Sequence, residues 1–128
     1  MHRRFPMLLA PALLPIAALL ALPGSAFAMS ASFRWCSGSP EFRIGDVPRG
    51  TVRLDLRMTD LMVRSFHHGG GVVTYAGQGT IPCGALDGGY VGPSPPAGQV
   101  HLYRWTVKAL DAAGKVLATA TAQRKFPE

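Results

Sequence analysis

Cysteine is almost missing from this chain: Cys36 and Cys83 are the only two in 128 residues. Neither has C-x-x-C or other metal-ligand spacing, which argues against a thiol redox motif and a zinc ribbon. No G-x-S-x-G elbow and no H-E-x-x-H pair occurs, so two common hydrolase signatures are absent. There is no internal repeat, no heptad run and no long helical period, which leaves little room for coiled coils or solenoids. Charged residues make up only 16% of the chain, 13 cationic against 7 acidic. The cations are scattered without a basic run, which argues against a nucleic-acid partner.

Residues 1–28 read as a cleaved signal peptide. His2, Arg3 and Arg4 form a basic start, Met7 to Leu22 is apolar but interrupted by Pro11 and Pro15, and Ala26-Phe27-Ala28 is a small-x-small cleavage signal. The apolar stretch is too short and too proline-broken for a transmembrane helix. No cysteine follows the cleavage signal, which argues against a lipoprotein. The remainder, 29–128, is expected to form one domain in the periplasm or outside the cell. It carries 11 of the 13 cations and all 7 acidic residues, a net charge of +4 that mildly favours anionic partners. In an oxidising compartment an even pair of cysteines reads as a disulfide, here Cys36 with Cys83; two reduced buried thiols are the alternative.

What fills 29–128 is alternation. Ser32 to Cys36 suggests a short first strand, and Ser37 to Gly50 a loop with Phe42 and Ile44 turned inward. In Thr51 to Met58 the residues Val52, Leu54, Leu56 and Met58 share one side, with Arg53, Asp55 and Arg57 on the other, as in a half-buried strand. Asp60 falls at or just past its end. Gly69-Gly70-Gly71 gives the backbone freedom for a close approach. Val72 to Tyr75 suggests another strand, Ile81 to Cys83 a short extended piece. Lys115 to Phe126 returns as a last strand after a hairpin turn at Asp111 to Gly114, although its alanines also permit a helix. The expected fold class is all-β, a β-sandwich with little helix.

The organising stretch runs from Gly89 to Asp111. Its first part, with Gly92, Pro93, Pro95, Pro96 and Gly98, can continue neither a helix nor a central strand. Its second part, Val100 to Leu110, is rich in β-branched and aromatic residues and reads as a strand. Side chains alternate along a strand, so His101, Tyr103, Trp105 and Val107 lie on one side. An imidazole and a phenol thus stand together at the mouth of a rigid loop.

The stretch Tyr90-Val-Gly-Pro-Ser-Pro-Pro-Ala-Gly-Gln-Val-His-Leu-Tyr-Arg-Trp105 resembles a signature of the phosphatidylethanolamine-binding protein family, a G-x-x-P-P-x-G loop ahead of H-R-Y on a strand. Ser39-Pro40-Glu41-Phe42 and Val47-Pro48-Arg49-Gly50-Thr51 are similar to its S-P-x-F and V-P-x-G-T elements. Met58-Thr59-Asp60 with the later His67-His68 is similar to its first signature. Within the family, the short bacterial Raf-kinase-inhibitor-like proteins are the nearest match. The resemblance implies a β-sandwich with an anion pocket at one end of the sheets. Carried over by position, that pocket comprises Asp60, His68, Gly92, Pro95, Pro96, His101 and Tyr103, with either His67 or His68 facing inward. Histidines donate to an oxyanion and become cationic. Tyr103 adds a neutral donor, Asp60 fixes an imidazole tautomer or receives an ammonium group, and the proline loop makes a rigid wall.

The leading expectation is therefore a non-enzymatic binding protein for a phosphate or phospholipid head group, without a cofactor, compatible with peripheral membrane contact. Anion affinity should then fall as pH rises through the histidine range. Two other readings compete. One is a histidine–aspartate hydrolase or metal site using Asp60, His67, His68 and His101. The other is a ligand-free domain that inhibits a secreted partner.

Overall fold

A computed structural model describes residues 1–3, 6–18, 28–86 and 88–128. Most of the Ala26-Phe27-Ala28 cleavage signal lies outside the described residues. Seven strands account for the regular structure: β1 Ser30–Arg34, β2 Glu41–Gly45, β3 Arg53–Asp60, β4 Gly70–Thr74, β5 Thr80–Ile81, β6 His101–Leu110 and β7 Val116–Phe126. No helix occurs among the described residues, so none there is long and apolar enough to cross a membrane.

The strands form two sheets, β1-β2-β5 and β4-β3-β6-β7, with every neighbouring pair antiparallel. β3 follows the alternation in its sequence: Leu54, Leu56 and Met58 are buried while the residues between them are not. β6 does the same with His101, Tyr103, Trp105, Val107 and Ala109. Phe33, Phe42, Ile44 and Ile81 complete the core from the smaller sheet. Trp105 sits at the centre, its ring 4.9 Å from that of Phe42 and 5.5 Å from that of Tyr90, and none of its surface is exposed. One open flank of the sandwich is tied across by side chains: the Trp35 indole N–H donates to the Lys125 carbonyl and Arg124 donates to the Phe33 carbonyl.

Several boundaries differ from the sequence expectation. The first strand begins two residues earlier and stops at Arg34. The expected loop 37–50 contains β2, because Phe42 and Ile44 turn into the core as expected and the backbone between them pairs with β1 on one side and β5 on the other. β4 starts at Gly70, since Gly70 and Gly71 pair with Arg57 and Leu56 despite their poor strand propensity. The last segment is a strand, not a helix: its ladder to β6 runs with one irregularity at Ala109/Leu110. The hairpin turn before it closes as expected, with Gly114 at φ 82° and Asp111 Oδ1 accepting from the amides of Ala113 and Lys115.

Cys36 and Cys83 form a disulfide that joins the end of β1 to the segment after β5. Such a bond is consistent with an oxidising compartment.

Candidate functional site

β3 ends where β6 begins, and this single fact builds the site. In the antiparallel register Met58 lies opposite Trp105, and Asp60 opposite Tyr103. The inward stripe is therefore polar at the last inward position of β3 and at the first two of β6, and apolar beyond them. Asp60 closes the stripe of β3, and His101 and Tyr103 open that of β6. All three are buried, as is His68.

His68 arrives from a different direction. It precedes β4, and its main chain and side chain grip the loop that leads to the prolines. The Val91 amide donates to the His68 carbonyl (2.8 Å), and His68 Nδ1 bonds the Val91 carbonyl (2.7 Å). A carbonyl can only accept, so Nδ1 carries the proton and Nε2 is the nitrogen left to turn elsewhere. This double contact decides between the adjacent histidines: His68 is buried and His67 is exposed. It requires a very close backbone approach. Gly69 has φ 69°, and a Cβ there would stand 1.9 Å from the Gly89 carbonyl oxygen. The glycine run thus serves the tight approach expected of it.

Tyr103 lies between the two imidazoles. Its ring meets His68 edge-on at 5.5 Å and stacks on His101 at 6.3 Å. Among the described residues its hydroxyl has no hydrogen-bond partner, although no part of Tyr103 is exposed to solvent. The Tyr90 hydroxyl and the Trp105 indole N–H are buried without a partner as well, but of the three only Tyr103 lines the cavity described below. Burial, and then the charge of Asp60, push the phenol up to about 12, so it is a neutral donor at ordinary pH.

Asp60 is consumed by its own neighbours. Oδ2 accepts from His101 Nδ1 at 2.6 Å, and Oδ1 accepts from the amides of Met62 (2.8 Å) and Val63 (3.2 Å). Burial pushes the carboxyl up. The His101 hydrogen bond, the Met62 amide, the His101 charge and the Val63 amide together outweigh it, and the group rests below its ordinary value. An ionised Asp60 holds His101 with its proton on Nδ1. With three bonds already made, the carboxylate orients an imidazole more readily than it receives an ammonium group.

Asp60, His68, Gly92, Pro95, Pro96, His101 and Tyr103 all line one cavity of about 330 Å³. Ser94, within the Gly92–Pro96 loop expected at the pocket, lines it too, as do Val63, Phe66 and Val91, which were not picked out as ligand-binding positions from sequence. Gln99 was also missed. Its amide oxygen lies 2.9 Å from His101 Nε2, so it covers the ring nitrogen that Asp60 leaves free. No sequence signal marks Gln99, because the contact depends on the turn in which its amide donates to the Pro96 carbonyl.

No protein-family model matches the sequence, and no curated protein matches it. Among solved structures, the fold is similar to the crystal structure of a protein described as a phosphatidylethanolamine-binding protein homolog, CT736 from Chlamydia trachomatis. The TM-score is 0.57 at 20% identity, and the match covers 79% of this chain and 98% of that one. The all-β sandwich expected from the family resemblance is thus the fold observed.

Proposed function

We propose that this chain is a small exported binding protein of the phosphatidylethanolamine-binding type, which takes an oxyanion such as a phosphate or phospholipid head group at the His68–Tyr103–His101 cluster. The observation that carries the reading is the convergence of His68, Tyr103 and His101 on the wall of one cavity, where the Tyr103 hydroxyl has no partner within hydrogen-bond distance among the described residues. A neutral phenol and protonated imidazoles are the donors an oxyanion needs, and the Gly92–Pro96 wall has little conformational freedom to lose on binding. Asp60 supports the site from behind by fixing the His101 ring. Export is supported by the basic-apolar leader and by the Cys36–Cys83 bond.

His101 Nε2 meets the amide oxygen of Gln99, which covers it in place of a ligand. Gln99 is exposed, so an arriving oxyanion can displace it at modest cost.

Calorimetric titration of the wild type and Tyr103→Phe with inorganic phosphate and with phosphoethanolamine tests the reading. The substitution keeps the ring that packs the core and removes only the unpartnered hydroxyl, so its melting temperature should be unchanged or slightly raised. Its affinity should fall by about tenfold to a hundredfold, the worth of one hydrogen bond to a charged group. Equal affinity in both proteins, or no binding by either, would remove the proposal.

A further inference from the structure

The cavity has an apolar mouth. Met62, Val63, Phe66 and Val91 are 62%, 43%, 49% and 48% exposed, although each is a large hydrophobic side chain. Val63, Phe66 and Val91 line the cavity itself, and Met62 adjoins them in the same turn. Single exposed apolar residues are ordinary, and Val72 and Val116 elsewhere on the domain are examples. Four gathered around the opening of one polar recess form a patch, and patches of this kind mark interaction surfaces.

The turn that carries three of them is held rigidly. The Val63 amide donates to the Asp60 carbonyl, the Phe66 amide to the Val63 carbonyl, and Asp60 Oδ1 accepts from Met62 and Val63. The same carboxylate orients His101. Apolar rim and polar recess therefore keep a fixed spatial relation. Immediately beside them, Arg57, Arg64 and His67 line a second cleft that shares Phe66 and His68 with the first.

We infer that this face docks on an anionic phospholipid bilayer, with Met62, Val63, Phe66 and Val91 entering the interface and a lipid phosphate reaching the recess they surround. The inference rests on the oxyanion reading of that recess. A soluble phosphate gains nothing from an apolar rim. A bilayer presents hydrocarbon and phosphate a few ångströms apart, the arrangement that the rim and recess complement, and interfacial binding grows with the apolar area inserted. Arg64 is placed to meet a neighbouring anionic head group, whereas Arg57 already pairs with Asp55.

The test uses the intact chain with bicelles of phosphatidylethanolamine and phosphatidylglycerol containing a nitroxide-labelled lipid, read by methyl NMR. The apolar segment at 7–22 could hold the chain at the surface by itself, but it would not choose which face of the sandwich approaches the lipid. Broadening should be several-fold stronger at the methyls of Met62, Val63 and Val91 than at those of Val72 and Val116. Met62→Glu should weaken it at Val63 and Val91 while leaving the shifts of the His68 and His101 rings by inorganic phosphate unchanged. Uniform broadening, broadening strongest at Val72 or Val116, or no response to Met62→Glu would overturn the docking face. If phosphate still shifts the two rings in that case, the recess stands and its rim belongs to a protein partner. If phosphate shifts neither ring, the oxyanion reading falls as well.

Discussion

Asp60 is the residue whose removal should cost most for its size. Its two oxygens hold the His101 ring and start the turn that carries Met62 and Val63, with 4% of its surface exposed. Asp60→Asn leaves the shape but removes the carboxylate that accepts from His101 and the two amides, and weakening a buried set of hydrogen bonds of this kind costs about 1–3 kcal/mol. The pH dependence has a definite sign. A carboxyl whose folded pKa lies below the unfolded value of about 3.9 contributes stability that is complete above that value and lost as pH falls through the lower folded one. The melting-temperature difference between wild type and Asp60→Asn should thus be full at neutral pH and shrink below about pH 4. A difference that stays constant down to the acid limb would mean that the carboxylate charge contributes nothing.

Among the elements, β3 and β6 were the most legible, because each buries one face and shows it in alternating residues. β2 escaped notice: five residues between Gly and Pro signals carry too little alternation, and only the partners on either side make Glu41–Gly45 a strand. The candidate site was legible to the same degree as its strands. Asp60, His101 and Tyr103 sit at positions fixed by strand alternation, whereas the choice of His68 over His67 was settled by a loop contact to Val91 that no local pattern reveals. The apolar rim at Val63, Phe66 and Val91 depends equally on the path of two loops. The junction before β4 makes this point testable. Gly69→Ala would drive a Cβ into the Gly89 carbonyl at a positive φ, push the 89–92 loop off His68, and destabilise the fold by about 2–4 kcal/mol. Denaturant unfolding measures the loss. Alanine at Gly77, where φ is 92° and nothing stands within 4 Å, keeps the backbone strain without the collision and should cost clearly less.

As a whole, the molecule is a small two-sheet sandwich whose smaller sheet has three short strands, β1, β2 and a two-residue β5. The disulfide spans 47 residues and fastens the end of β1 to the chain just past β5. Closing a loop of that length restricts the unfolded chain by about 4 kcal/mol, a large share of the stability of a domain this size. Reduction, or the double substitution Cys36→Ser and Cys83→Ser, should lower the melting temperature markedly; an unchanged melting temperature would show that the sheets hold without it. The strands also bring chemistry together over distance: Asp60 meets Tyr103 and His101 because β3 ends where β6 begins, and His68 joins them through its contact with Val91. The four histidines of the chain allow a direct reading of whether that meeting binds an oxyanion. Imidazole NMR during titration with inorganic phosphate should show saturable shifts of the His68 and His101 rings while those of His2 and His67 stay still. Silence at both buried rings, or the largest shifts at exposed His67, would contradict a phosphate site between them.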